Sequence, residues 1–372
     1  MPAPCTAQAA EDLTRALAGD GHRTITQPPA LATLAWRDLS VDPAGGPSPL
    51  KVPFSMCWHG SSLVVADRQL AQLVVFAANG DVTRTIGSRG AGPGQFIVPT
   101  VVRCSTGAAA YMVADLGAHR VTFLDSLGAV LRTTNTPDVP QIDIIGEFAL
   151  RPDGGWYDSW LGSDVTFGPY LSDQQWRGVG LVRRYGPDDR LRSEFGTPVP
   201  YRDRVARRVL NRVFLCLSRD TMWTLTQGDA TIRGFAHDSA MVASPIRLPV
   251  YFRGMEPDVK VNERARVPGS DFLPNSLTYE PNVQGLAVVA DSLFVTIRYR
   301  DWGMKLVHGS GFSMRRLANS SIEIVNRRGQ VIRAYDAPGM LLSIETDGKS
   351  RIAAITMMRD NTQHVLTARL PF

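Results

Sequence analysis

The stretch Leu63–Gly87, LVVADRQLAQLVVFAANGDVTRTIG, lies without a gap over Tyr111–Asn135, YMVADLGAHRVTFLDSLGAVLRTTN, at an offset of 48 residues. The positions that fix the overlay are Ala66/Ala114, Asp67/Asp115, Leu73/Val121, Phe76/Leu124, Gly80/Gly128, Val82/Val130 and Arg84/Arg132. The second half recurs in SIEIVNRRGQVIRAY, where Gly329 and Arg333 take the places of Gly80 and Arg84. This self-similarity decides the fold, because one such unit cannot bury both of its faces and must stack on its neighbours.

Each unit reads as an apolar strand, a tight turn, an apolar strand ending in Ala-Asp, a short polar loop, an alternating strand, a turn ending in Gly, and a last strand. Four antiparallel strands in about 40–50 residues is the period of a propeller blade. Six units can be counted: about Lys51 to Ile86, Ile97 to Thr133, Ile142 to Phe195, Val213 to Leu248, Val283 to Tyr335, and a last one from LLSIETDGKSRIAAITMM through HVLTARL. That last unit is one strand short, and ATLAWRDLSV (Ala32–Val41) can supply it. The expectation is an all-β, six-bladed β-propeller over residues 31–372, closed by its N-terminal strand and preceded by a mobile tail at residues 1–30. Closure removes two open sheet edges.

Composition agrees: 44% hydrophobic and 20% charged residues, with 33 Gly and 25 Pro, favour short strands over long helices. No apolar run reaches the roughly 20 residues of a membrane-spanning helix. The start, CTAQAAED, carries Ala7-x-Ala9 before acidic residues, which looks like the end of a secretory signal whose upstream part is missing. An extracytoplasmic (periplasmic or secreted) location is therefore expected. Cys5, Cys57, Cys104 and Cys216 show no C-x-x-C spacing, and the last three fall in inner-strand runs, where buried free thiols are expected.

Gly87–Phe96, GSRGAGPGQF, invites reading as a phosphate loop. Such a loop needs a helix after it to complete the anion site. Here FIVPTVVRC follows, so the stretch reads as a link between blades, with Phe96 as a plug and Arg89 at the border of whatever site lies there. Taken together, IGSRGAGPGQFIVPT and YMVADLGAHRVTFLDSLGAVLR resemble an NHL-type repeat of six-bladed propellers: Gly-rich stretch, G-P-G-x-F, a Pro opening the inner strand, then V-x-D-x-x-x-x-R-V-x-x-x-D-x-x-G. The match covers Leu63–Arg132 best, with a fair echo at Ser321–Arg333. The resemblance implies fold rather than task, since the family holds ligand binders, protein and RNA scaffolds, hydrolases and lyases.

Extra length falls between second and third strands in LGSDVTFGPYLSDQQWRG and YRDWGMKLVHGSGFSMRRLAN, and in the links GTPVPYRDRVARRVLNR and YFRGMEPDVKVNERARVPGSDFLPNS. All these connections leave a blade on one face, whereas the turns on the other face stay short. Insertions gathered on one face mark the binding face of a repeat protein. Candidate binding residues there are Arg298, Arg300, Asp301, Trp302, His308, Asp164, Trp176, His119 and Arg120, with Arg202, Arg204, Arg207 and Arg208 in a link. Arginines with aromatics suit a protein, a peptide, or a polar or anionic small ligand. YRDRVARRVLNR also reads as a short amphipathic helix.

No cofactor is expected for such a module, and a monomer is. Six scattered histidines give no zinc cluster. DLGAH, with His119, resembles the loop of propeller-type amidating lyases, but the other histidines those enzymes need have no match. The alternative is a calcium-dependent hydrolase resembling lactonases or gluconolactonases, with Ca²⁺ on the axis. Its candidate oxygen ligands are Asp143, Glu147, Glu280 and Asn282. No G-x-S-x-G elbow marks a serine nucleophile. A net charge of +5, with acidic residues diluting the arginines, weighs against nucleic acid.

Overall fold

The computed structural model describes residues 29–42, 45–135, 147–159, 180–198, 211–227, 230–236, 241–242, 244–249, 283–290, 292–299, 305–306, 312–313, 320–358 and 360–371. Blade 1 is built from Pro53–His59, Ser62–Asp67, Gln72–Phe76 and Val82–Ile86, in that order from the axis outward. Blade 2 follows with Pro99–Cys104, Tyr111–Asp115, Arg120–Leu124 and Val130–Asn135. The inner strands of blades 3, 4 and 5 are Glu147–Leu150, Val213–Ser218 and Val283–Val289, and each opens another four-stranded antiparallel sheet. Blade 6 has Met340–Thr346, Arg351–Met357 and Gln363–Arg369, and its outermost strand is Arg37–Asp38 from the other end of the chain. The N-terminal closure expected from the sequence is therefore present, though its strand is only two residues long.

Six apolar clusters fill the six spaces between neighbouring blades, including the space between blades 6 and 1. They arise from strand alternation. In the second strand of blade 1, Leu63 and Val65 pack toward blade 6, while Val64 and Ala66 pack toward blade 2. Outer strands keep one face in solvent, so Val82, Leu131, Leu191 and Ile332 remain exposed.

The repeat positions have physical roles. Asp67 and Asp115 are fully buried at the end of their strands. Asp115 accepts from the backbone N–H groups of Ile97 and Val98 at 2.8 Å and of Ala118 at 3.2 Å. Asp67 does the same for Lys51, Val52 and Leu70. Each carboxylate thus ties the opening of the inner strand to the second strand. Gly87 has φ +84°, and a Cβ there would lie 2.4 Å from the Phe96 ring. Phe96 is fully buried between blades 1 and 2, as the sequence predicts.

One expectation is corrected. Cys57 and Cys104 are not free thiols; they form a disulfide between the inner strands of blades 1 and 2. An offset of four strands in sequence becomes a side-by-side placement in a ring, because consecutive inner strands are neighbours. Among the described residues Cys216 is the free cysteine.

Candidate functional site: the axis and the loop-bearing face

The Gly-rich link is held as a joint. Arg120 donates to the carbonyls of Ala91 (2.8 Å), Gly92 (3.0 Å) and Gln95 (2.6 Å), so the loop turns oxygens toward a cation. A phosphate loop turns N–H groups toward an anion. The Gly92 N–H is taken by the Gln95 side chain, and Arg89 is anchored on the Gln69 carbonyl at 2.6 Å. His119 is exposed next to Arg120, in the left-handed region at φ 50°, on a turn closed to the Leu116 carbonyl.

Arg298 lies inside blade 5, with 5% of its side chain exposed. Its guanidinium bonds Glu323 at 3.0 Å and the Pro249 carbonyl at 2.9 Å. The remaining candidates on the loop-bearing face, Arg300, Asp301, Trp302, His308, Asp164 and Trp176, lie outside the described residues, as do Arg202, Arg204, Arg207 and Arg208. So do Asp143, Glu280 and Asn282 of the calcium reading. The strands that carry these segments do fix where they leave the sheets. Residues 160–179 and 300–319 join second to third strands, and residues 199–210 and 250–282 lie in links between blades. Antiparallel alternation puts the described strand ends from which all four leave on one face of the ring.

The axis holds a charged cluster that the sequence reading did not assemble. Arg103, on the inner strand of blade 2, bonds the Glu147 carboxylate of blade 3 at 2.8 Å and the Phe148 carbonyl at 2.7 Å. It also bonds the Ser55 hydroxyl of blade 1 at 3.1 Å and stands 3.6 Å from the Glu345 carboxylate of blade 6. Cys216 of blade 4 interacts electrostatically with Glu345 and Arg103 and has a hydrogen bond with the backbone of Val288 in blade 5. All six blades contribute. The sequence signal was a charge within an apolar inner strand, PTVVRC for Arg103 and MLLSIET for Glu345.

The cluster's electrostatics follow from depth. Burial pushes the Glu345 carboxyl up to about 7, although Arg103 opposes the shift; Glu147 adds to it. The carboxyl lies deep in the ring while 27% of its side-chain surface stays exposed. Burial alone would lower Arg103, but Glu345 and Glu147 outweigh it and hold the guanidinium above its ordinary value. Burial pushes the Cys216 thiol up to about 12, with Glu345 adding to the shift. A protonated thiol is a poor nucleophile, so Cys216 is not activated for attack.

The fold and this axis define a six-bladed β-propeller. Among solved structures, two are similar over most of this chain. A member of the DUF4221 family from Bacteroides vulgatus is 10% identical, with 91% of this chain and 97% of that one covered at a TM-score of 0.58. The WD40 repeats of RRP9 are 11% identical, with 92% and 100% covered at 0.51. At such identity the likeness concerns the fold alone. No protein-family model matches the sequence, and no curated protein matches it. No helix among the described residues is long and apolar enough to cross a membrane.

Proposed function

We propose that the chain is an NHL-type recognition propeller working outside the cytoplasm, which binds a protein, a peptide, or a polar or anionic small ligand on its loop-bearing face and performs no chemistry on its axis. The observation that carries this reading is Arg103. Its guanidinium takes up Glu147, the described member of the calcium ligand set, at 2.8 Å. A cation fixed there repels a second cation and removes the ligand's free lone pairs, which disfavours the calcium hydrolase. The Cys57–Cys104 disulfide supports an oxidising compartment. Recognition falls to the face where four long segments leave the ring.

Calorimetric titration of the full chain with calcium chloride, alongside assays on a panel of lactones, tests the axial half of this reading. The expected result is no saturable calcium uptake below about 1 mM, the weak end of protein calcium sites, and no turnover. Calcium uptake or lactone hydrolysis that disappears in Glu147→Gln would overturn it.

A further inference from the structure

Between blades 6 and 1, on the face with the short turns, a cleft of about 250 Å³ opens beneath the closing strand. Ala35, Arg37 and Leu39 supply one wall as alternate residues of that segment. Trp58, Leu63 and the turn at Gly80 supply the wall from blade 1, while Arg351 and Arg369 come from blade 6. Among the described residues, three arginines and no carboxylate line it.

Other interfaces between blades show how an outer-strand arginine is ordinarily satisfied. Arg84 of blade 1 donates to the Tyr111 hydroxyl and the Ser126 carbonyl of blade 2. Arg132 of blade 2 reaches the Gly154 carbonyl and Asp189 of blade 3, and Arg333 of blade 5 reaches the Pro371 carbonyl beside blade 6. Arg37 holds the matching place in blade 6, lying over Gly80 so closely that a Cβ would meet its Cζ at 2.5 Å. Yet Arg37 has no acceptor among the described residues, and neither has Arg369.

Arg369 stands directly opposite Arg351 across a strand pair, a placement that costs free energy unless negative charge offsets it. Asp347 offsets Arg351, at 2.8 Å, and leaves Arg369 without a counter-charge among the described residues. Arg351 lies 4.3 Å over the Trp58 ring, fixing the indole as a flat wall. The Trp58 Nε1 is buried with no acceptor among the described residues, a donor whose partner is missing.

We propose that this cleft binds a small organic anion, a carboxylate or phosphate on a flat apolar body, with the charge held by Arg37 and Arg369 and the body against Trp58, Leu39 and Leu63. Guanidinium forks match the oxygens of both anions. An apolar pocket with a few convergent polar groups is the ordinary form of a small-ligand site. The cleft lies on the face opposite the long insertions, so it stands or falls apart from the recognition reading.

The test is calorimetric titration of the full chain at low salt with benzoate, phenyl phosphate, inorganic phosphate and neutral benzamide. Saturable binding of benzoate or phenyl phosphate is expected, weakened about tenfold or more by Arg37→Gln and by Arg369→Gln, the scale of one charge-assisted hydrogen bond. Ala78→Trp, at an exposed position on the rim, should abolish binding while leaving every charge in place. Both arginines are exposed, so neither variant should lower the wild-type unfolding midpoint. Failure of both aromatic anions to bind, equal binding of benzamide or inorganic phosphate, or affinity that survives the double arginine variant would overturn the proposal.

Discussion

Glu345 gives the axis a pH dependence whose sign can be worked out. Its carboxyl titrates at about 7 in the folded ring, against an ordinary 4.5. Between those values the folded protein holds a proton that the unfolded chain has released. Stability from this group is therefore full below pH 4.5 and is lost as pH rises through 7. Thermal unfolding between about pH 5 and about pH 8 should show a falling Tm, and Glu345→Gln should flatten that slope. Cys216, pushed up to about 12, should resist alkylation by iodoacetamide at neutral pH until the protein unfolds. Asp115 is a different case, since its worth lies in three backbone N–H groups that nothing else would satisfy. Asp115→Ala should cost about 3 kcal/mol or more in urea unfolding, from buried donors left unpaired. A loss near zero would mean that those donors find other partners.

At the scale of the element, two joints hold the ring. The disulfide closes a loop of 47 residues between adjacent inner strands. Chain entropy puts its worth at about 4 kcal/mol, so reduction should lower the urea midpoint without changing the fold. The closing strand is short, but Leu34 and Leu39 enter the clusters on either side of blade 6. Asp38 also bonds His364, at 2.5 Å. Removing residues 29–41 should therefore expose a sheet edge and produce association or loss of cooperative unfolding, read by light scattering and calorimetry.

The repeat made these elements legible: Asp67 and Asp115 do in space what their recurrence implies, and Phe96 plugs the space between blades 1 and 2. The disulfide was not read, although the separation of 47 lies within one residue of the repeat offset of 48. Cysteines one repeat apart on inner strands stand on neighbouring blades, and that geometry is invisible to a search for C-x-x-C. Arg103 and Glu345 escaped for a related reason. They are 242 residues apart (103 to 345), and only closure of the ring brings them together. Arg298 shows the converse: a basic residue next to a long insertion is placed by sequence at a surface, whereas its strand register puts it opposite Ser321 and beside Glu323.

At the scale of the molecule, a ring whose axis is crossed by Arg103 has two faces available, and the insertions distinguish them. The claim that recognition belongs to the face of residues 160–179 and 300–319 is tested most directly by a photo-crosslinking residue placed singly at Trp176 or Trp302, and at Leu127 or Arg328 on the short-turn face. Leu127 and Arg328 sit in exposed turns, so substitution there leaves the core intact. Expressed in its host, the protein should form a discrete adduct from the first pair of positions and none from the second. Adducts arising only from Leu127 or Arg328 would contradict the assignment of the binding face.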